Sequence, residues 1–90
     1  MVLGKVVGTV WATRKDEKLV GMKLQVVRHV DFDYKLKDAF VVAVDTVQAG
    51  VGDVVLVTSG SSARQTTVTN NKPVDAVIIA IVDKLDVTER

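Results

Sequence analysis

One histidine, no cysteine and 11 acidic side chains are the raw material for chemistry in this 90-residue chain. A nucleophilic site assembled on paper takes Ser59, Ser61 or Ser62 with His29 and Asp45. Such triads are defined by geometry, not by the presence of three residue types, and nothing in the spacing draws these together. A metal centre built on one histidine needs thiolates or clustered carboxylates. The chain has no thiol, and its paired carboxylates, Asp16-Glu17 and Asp31/Asp33, stand among lysines in turns, where they read as solvated loop charge. Gly50-Val51-Gly52 opens like a dinucleotide fingerprint but precedes the strand-like run Val54–Val57, so no helix N-terminus is on offer for a pyrophosphate. Gly60-Ser61-Ser62-Ala63-Arg64 joins small residues, hydroxyls, helix-start amides and a guanidinium, the ingredients of an anion contact. The same residues make a capped helical turn with Arg64 in a contact between subunits, and that is the role expected here. No catalytic residue, metal ligand or cofactor is expected.

The elements that position these residues are mostly strands. Hydrophobic residues make up 48% of the chain and aromatics 4%, with valine dominant; β-branched side chains favour extended backbone. Leu3 to Thr13 reads as a first strand, with Gly8 marking a bend or a close backbone approach. Arg14 to Lys18 is a charged loop ended by Gly21. Lys23 to Val30 is a second strand, with Leu24, Val26 and Arg28 on one face and Lys23, Gln25, Val27 and His29 on the other. A polar turn at 31–35 leads to a third strand, Ala39 to Val47; a glycine-rich turn at 48–53 leads to a fourth, Val54 to Thr58. A short helix or 3₁₀ turn follows over Ser59 to Gln65, then a polar loop, Thr66 to Lys72, and Pro73. Val74 to Val87 carries the last strand, whose centre is apolar on both faces. The fold class expected is all-β: a five-stranded barrel of the oligonucleotide/oligosaccharide-binding type, one short helix before the last strand, in a single domain over residues 1–90.

Composition narrows the function. Twelve basic against 11 acidic residues give a net charge of +1, without the basic excess that nucleic-acid binding uses. Trp11, Phe32, Tyr34 and Phe40 are the only aromatics, and two of them flank an acidic turn, which is a poor stacking platform for bases. No nucleic-acid partner is expected. The start of the chain shows no secretory signal, and the longest apolar run, Ala76 to Val82, is far short of the roughly 20 residues of a membrane helix. The apolar surplus instead points to self-association. A last strand apolar on both faces wants a neighbouring subunit, which places Val77, Ile79 and Ile81 in a subunit interface. A small barrel module binding a ligand or single-stranded nucleic acid is the alternative.

Longer stretches carry a resemblance. Gly4 to Lys15 with Leu19 to Leu24, then Ala43 to Val57, then Gly60-Ser61-Ser62-Ala63-Arg64 and Pro73 to Asp83, resemble the EutN/CcmL family of pentameric vertex proteins of bacterial microcompartment shells. The motifs span essentially the whole chain in family order. The resemblance implies a barrel that assembles into a homo-pentamer, sits among hexameric shell tiles in a cytoplasmic microcompartment, and has no enzyme activity. It implies a loop of Ser59, Gly60, Ser61 and Ser62 near the central axis; Arg64 and Asp83 are expected to make polar contacts at the subunit interface, with partners that the family pattern does not fix. Departures from the family pattern fall in Asp31 to Asp38 and Thr66 to Lys72, segments expected to face solvent or neighbouring tiles.

Overall fold

Valine-rich stretches become five strands: β1 (Val2–Val10), β2 (Leu24–Val30), β3 (Leu36–Asp45), β4 (Val54–Ser59) and β5 (Ala76–Ile81). This computed structural model describes residues 1–88; Glu89 and Arg90, the end of the expected domain, lie outside the described residues. The strands close into a barrel in the order β1-β2-β3-β5-β4. All pairings are antiparallel except β3 with β5. The short helix before β5 is a 3₁₀ turn, Gly60–Arg64, and a second one, Glu17–Leu19, sits in the charged loop after β1.

Strand ends differ from the sequence reading where tertiary pairing intervenes. β3 starts at Leu36 because Leu36 pairs with Val30 across a tight turn. That turn closes on two backbone bonds, Asp31 N to the Lys35 carbonyl and Tyr34 N to the Asp31 carbonyl, both 2.9 Å. Lys37 and Asp38 therefore lie in a strand, where they meet Asp31 (3.2 Å) and Arg28 (3.6 Å). β5 is shorter than expected: it begins at Ala76, and among the described residues past Ile81 only Val82 N still bonds to a strand, at the Val54 carbonyl.

The barrel interior is narrow and is filled by small branched side chains. Val6, Val27, Ala43, Ala49, Val55, Val57, Ala76 and Ile78 form the central core. A five-stranded barrel leaves little interior width, which accounts for the scarcity of rings; Trp11, Phe32, Tyr34 and Phe40 are all exposed. Gly4 marks the tightest point, since a Cβ there would stand 2.2 Å from Val27 Cγ1 and 3.2 Å from the Arg28 carbonyl oxygen. Gly8 sits at a β-bulge between Val6 and Gly8, which is the bend its position suggests; its own surroundings are open. The close approach thus falls at Gly4 instead.

The inward face of β2 is the one carrying Gln25 and Val27, both buried, while Leu24 and Val26 look outward and are half-buried. Gln25 is 0% exposed yet fully engaged. Its Nε2 donates to Asp45 Oδ2 (3.2 Å) and to the Ala49 carbonyl (2.9 Å), and its Oε1 accepts from the Thr9 hydroxyl (2.8 Å). A buried amide with its bonds made is tolerated. Here it ties β1, β2, the end of β3 and the following loop into one network.

Candidate functional site

The turn between β4 and β5 is the part of the fold that departs most from strand chemistry. β4 runs out at Ser59, whose backbone is extended (φ −138°, ψ 176°) and whose side chain makes no capping bond. The expected serine cap is therefore absent, and the reversal is achieved by Gly60 at φ +66°, a left-handed conformation that glycine adopts without strain. Gly60 N donates to the Asp75 carbonyl (2.8 Å), which pins the start of the turn to the approach of β5. Ser59, Gly60, Ser61 and Ser62 are all exposed, so four small residues stand at the outer surface of the barrel end.

The turn is held from below by Ala63, which is buried against a second cluster with Val44 and Val77, flanked by Met22, Leu24, Val74 and Ile79. It is also held from behind. The Thr69 hydroxyl donates to the Ala63 carbonyl (2.6 Å), so in its 2.5 Å contact with Thr66 the Thr66 hydroxyl is the donor. Thr69 N in turn donates to Thr66 Oγ1 (3.0 Å). The loop that looked merely polar in sequence is thus a brace, with Thr69 completely buried. Thr69→Val removes the two bonds of the Thr69 hydroxyl, keeps the one from its backbone N–H, and leaves the buried Ala63 carbonyl unpaired, at a cost of about 1–3 kcal/mol. We expect amide hydrogen exchange at residues 60–64 to speed up in that variant, with the strands less affected; unchanged exchange there contradicts the brace.

Arg64 is exposed, and its Nη1 donates to the Val74 carbonyl (3.1 Å) of its own chain. It lines a surface groove with Asp16, Lys18, Asn71, Lys72 and Pro73. Asp83 is exposed in a different groove, with Lys5, Val30, Tyr34, Asp53 and Val82. The two grooves share no residue, so one chain does not bring Arg64 and Asp83 together. Val77 requires a correction. Its side chain is 0% exposed, enclosed by the 60–64 turn and β3 of its own subunit, and is not available to a neighbour. Ile79 is half-buried and Ile81 is 37% exposed.

The apolar surface that remains uncovered lies elsewhere. On β1, β2 and β3 the outward residues Val7, Val26, Phe40 and Val42 adjoin one another, with Phe40 65% exposed. Trp11, just past β1, is 89% exposed. The sequence reading assigned no face to the third strand. The signal was there in the alternation of Phe40 and Val42 with Val41 and Ala43.

The residues of the paper triad stay apart. His29 lies level with Gly4 and, through it, with Val55. Ser59 is four residues further along β4, and Asp45 binds Gln25, four residues away from His29 on β2; at about 3.3 Å per residue each interval is roughly 13 Å. Among the described residues no group of three or more His, Cys, Asp or Glu is placed to hold a metal ion. Asp16 and Asp33 accept from backbone amides of their own turns, Lys18 N (2.8 Å) and Lys35 N (3.3 Å), as turn aspartates do. Gly50 to Asp53 is a closed turn stitched to β1 through Val6. No described helix is long and apolar enough to cross a membrane.

Comparison with known proteins gives one answer over the whole chain. Residues 1–83 match the family described as ethanolamine utilisation protein EutN/carboxysome. The chain is 45% identical over 86 residues to the bacterial microcompartment shell vertex protein GrpN of Rhodospirillum rubrum, covering 96% of this chain and 97% of that one. The solved GrpN structure, a pentameric microcompartment shell protein, superposes with a TM-score of 0.89 at 44% identity, over 97% of this chain and 99% of that one. The carboxysome shell vertex protein CcmL of Nostoc sp. is 42% identical over 91 residues, 100% of this chain and 90% of that one. Its structure superposes with a TM-score of 0.93 at 41% identity, over 100% of this chain and 95% of that one.

Proposed function

We propose a function from one premise: this chain belongs to the ethanolamine-utilisation EutN/carboxysome family. It is a structural shell-vertex protein of a bacterial microcompartment. The observation that carries this is the end-to-end likeness to shell vertex proteins in both sequence and barrel. The reading extends to a single domain over residues 1–90, a ring of five, no enzyme activity, no nucleic-acid partner, and a place in the cytoplasm among hexameric shell tiles.

The physics of such a role is geometric. A flat hexagonal sheet cannot close, and a fivefold unit at a sixfold position introduces the missing curvature. Closing a ring takes a heterologous contact, in which two different patches of each subunit meet at a fixed rotation. Ser59, Gly60, Ser61 and Ser62 line the axis in this reading. What supports it is their small size and exposure at one end of the barrel, on a turn braced by Ala63 and Thr69. Five copies of a loop converge there only if each is slim. Arg64 and Asp83, which do not meet within one chain, each make polar contacts at the subunit interface in the same reading, and Ile79 and Ile81 belong to that interface.

Co-expression with a hexameric tile of the same microcompartment tests the role. Electron microscopy is expected to show closed polyhedra when this chain is present and open or elongated shells when it is omitted. Closed polyhedra without it contradict the vertex role.

A further inference from the structure

A ring needs two complementary patches, and the outward residues of this barrel supply two that look in different directions. The first spans β1, β2 and β3: Val26 stands opposite Val42 and next to Gly8 of the bulge, with Val7 and Phe40 beside it. Its one ion pair, Arg28 with Asp38 at 3.6 Å, borders the groove. The second spans β1 and β4. Leu3 stands directly opposite Leu56, and both are half-buried and outward, because the neighbouring Gly4, Val55 and Val57 are the buried set. β2 and β4 flank β1 on opposite sides in the closed barrel, so the two patches face apart.

We propose that the contact between neighbouring subunits seats the Phe40 face of one copy on the Leu3–Leu56 face of the next. This rests on the ring reading above and names the surfaces that make it. Two observations favour a second copy as the occupant. The chain exposes 6,017 Å², whereas a compact monomer of this mass exposes about 5,100 Å²; the excess is of the order of the roughly 800 Å² that each partner gives to a standard interface. Both patches are also apolar at their centres and border β1, so a single rotation can bring one against the other all the way round.

The chain has no cysteine, which makes a directional cross-linking test clean. Phe40→Cys and Leu56→Cys, together in one chain, are treated with a short bis-maleimide after native mass spectrometry has established the oligomer. Bands up to a covalent five-mer on a denaturing gel are expected. Each single variant alone is expected to give only monomer, and an equal mixture of the two singles only dimers. Rings of five that stay uncross-linked in the double variant overturn the contact and leave the ring reading standing, as does self-cross-linking of Phe40→Cys alone. A wild-type chain that is monomeric in the same buffer overturns the ring and the contact together.

Discussion

Gly4→Ala is expected to lower the stability of the barrel by roughly 2–3 kcal/mol, within the range seen when atoms are forced into a packed core. The new methyl would stand 2.2 Å from Val27 Cγ1 and 3.2 Å from the backbone oxygen of Arg28. Valine is stiff at χ1 and cannot swing its methyl aside at low cost, and the carbonyl is part of the strand. Val27 is moreover at the centre of the core, so any shift propagates to Val6 and Val55. For a domain of this size the melting midpoint falls by roughly 10–20 °C. Thermal unfolding at fixed protein concentration reads this, the concentration being held because oligomers melt later when more concentrated. Val27→Ala in the same chain removes the atom in the way, so the double variant should lose less than the sum of the singles. An unchanged midpoint for Gly4→Ala contradicts the packing described.

Ser61→Glu is expected to abolish the ring while leaving the single barrel folded. Ser61 is exposed on the turn after β4, so its own subunit has room for the longer side chain. At the axis five carboxylates converge. Two charges about 8 Å apart repel by about 2 kcal/mol at an effective dielectric of 20, and every pair around the axis adds its share. Native mass spectrometry reads the loss as a shift from ring to monomer, partly reversed at high ionic strength because salt screens exposed charges. Ser61→Ala, which keeps the residue small and neutral, should form rings as the wild type does. Intact rings of Ser61→Glu at low salt remove this turn from the axis.

The architecture was legible because each strand is a valine-rich run bounded by charged or glycine-rich turns, and Gly60-Ser61-Ser62 interrupts that pattern once. The directions of the side chains were not. Period-two alternation is broken by bulges between Val6 and Gly8, between Arg28 and Val30, and between Leu56 and Val57. Past the bulge on β1 the parity of inside and outside changes, Val6 and Thr9 both turning inward, and no local pattern announces it. On β2 the polarity pattern misleads outright: Gln25 goes in and Leu24 and Val26 stay out, because the amide finds Thr9, Asp45 and Ala49 only once the barrel has closed.

The candidate site divides in the same way. The slim turn Ser59 to Ser62 was visible as a run of small residues, and it stands exposed at the barrel end. The double-sided greasiness of β5 suggested a neighbour at Val77, whereas the chain covers Val77 with its own 60–64 turn. Arg64 is expected in a contact between subunits, and one of its nitrogens is engaged within its own chain by the Val74 carbonyl, ten residues on. The surplus apolar surface is real, but it sits on Phe40, Val42, Val7 and Trp11. That relocation follows from the narrow interior: a barrel filled by valine, alanine, isoleucine and one glutamine must carry its rings outside.

The central claim is that this barrel works as one fifth of a closed ring. Native mass spectrometry of the purified wild-type chain at micromolar concentration tests it most directly. The expected result is a single dominant species with the mass of five subunits, dissociating on activation to a four-subunit complex and one released monomer. A spectrum dominated by monomer, or by a closed species of any other number, would contradict it.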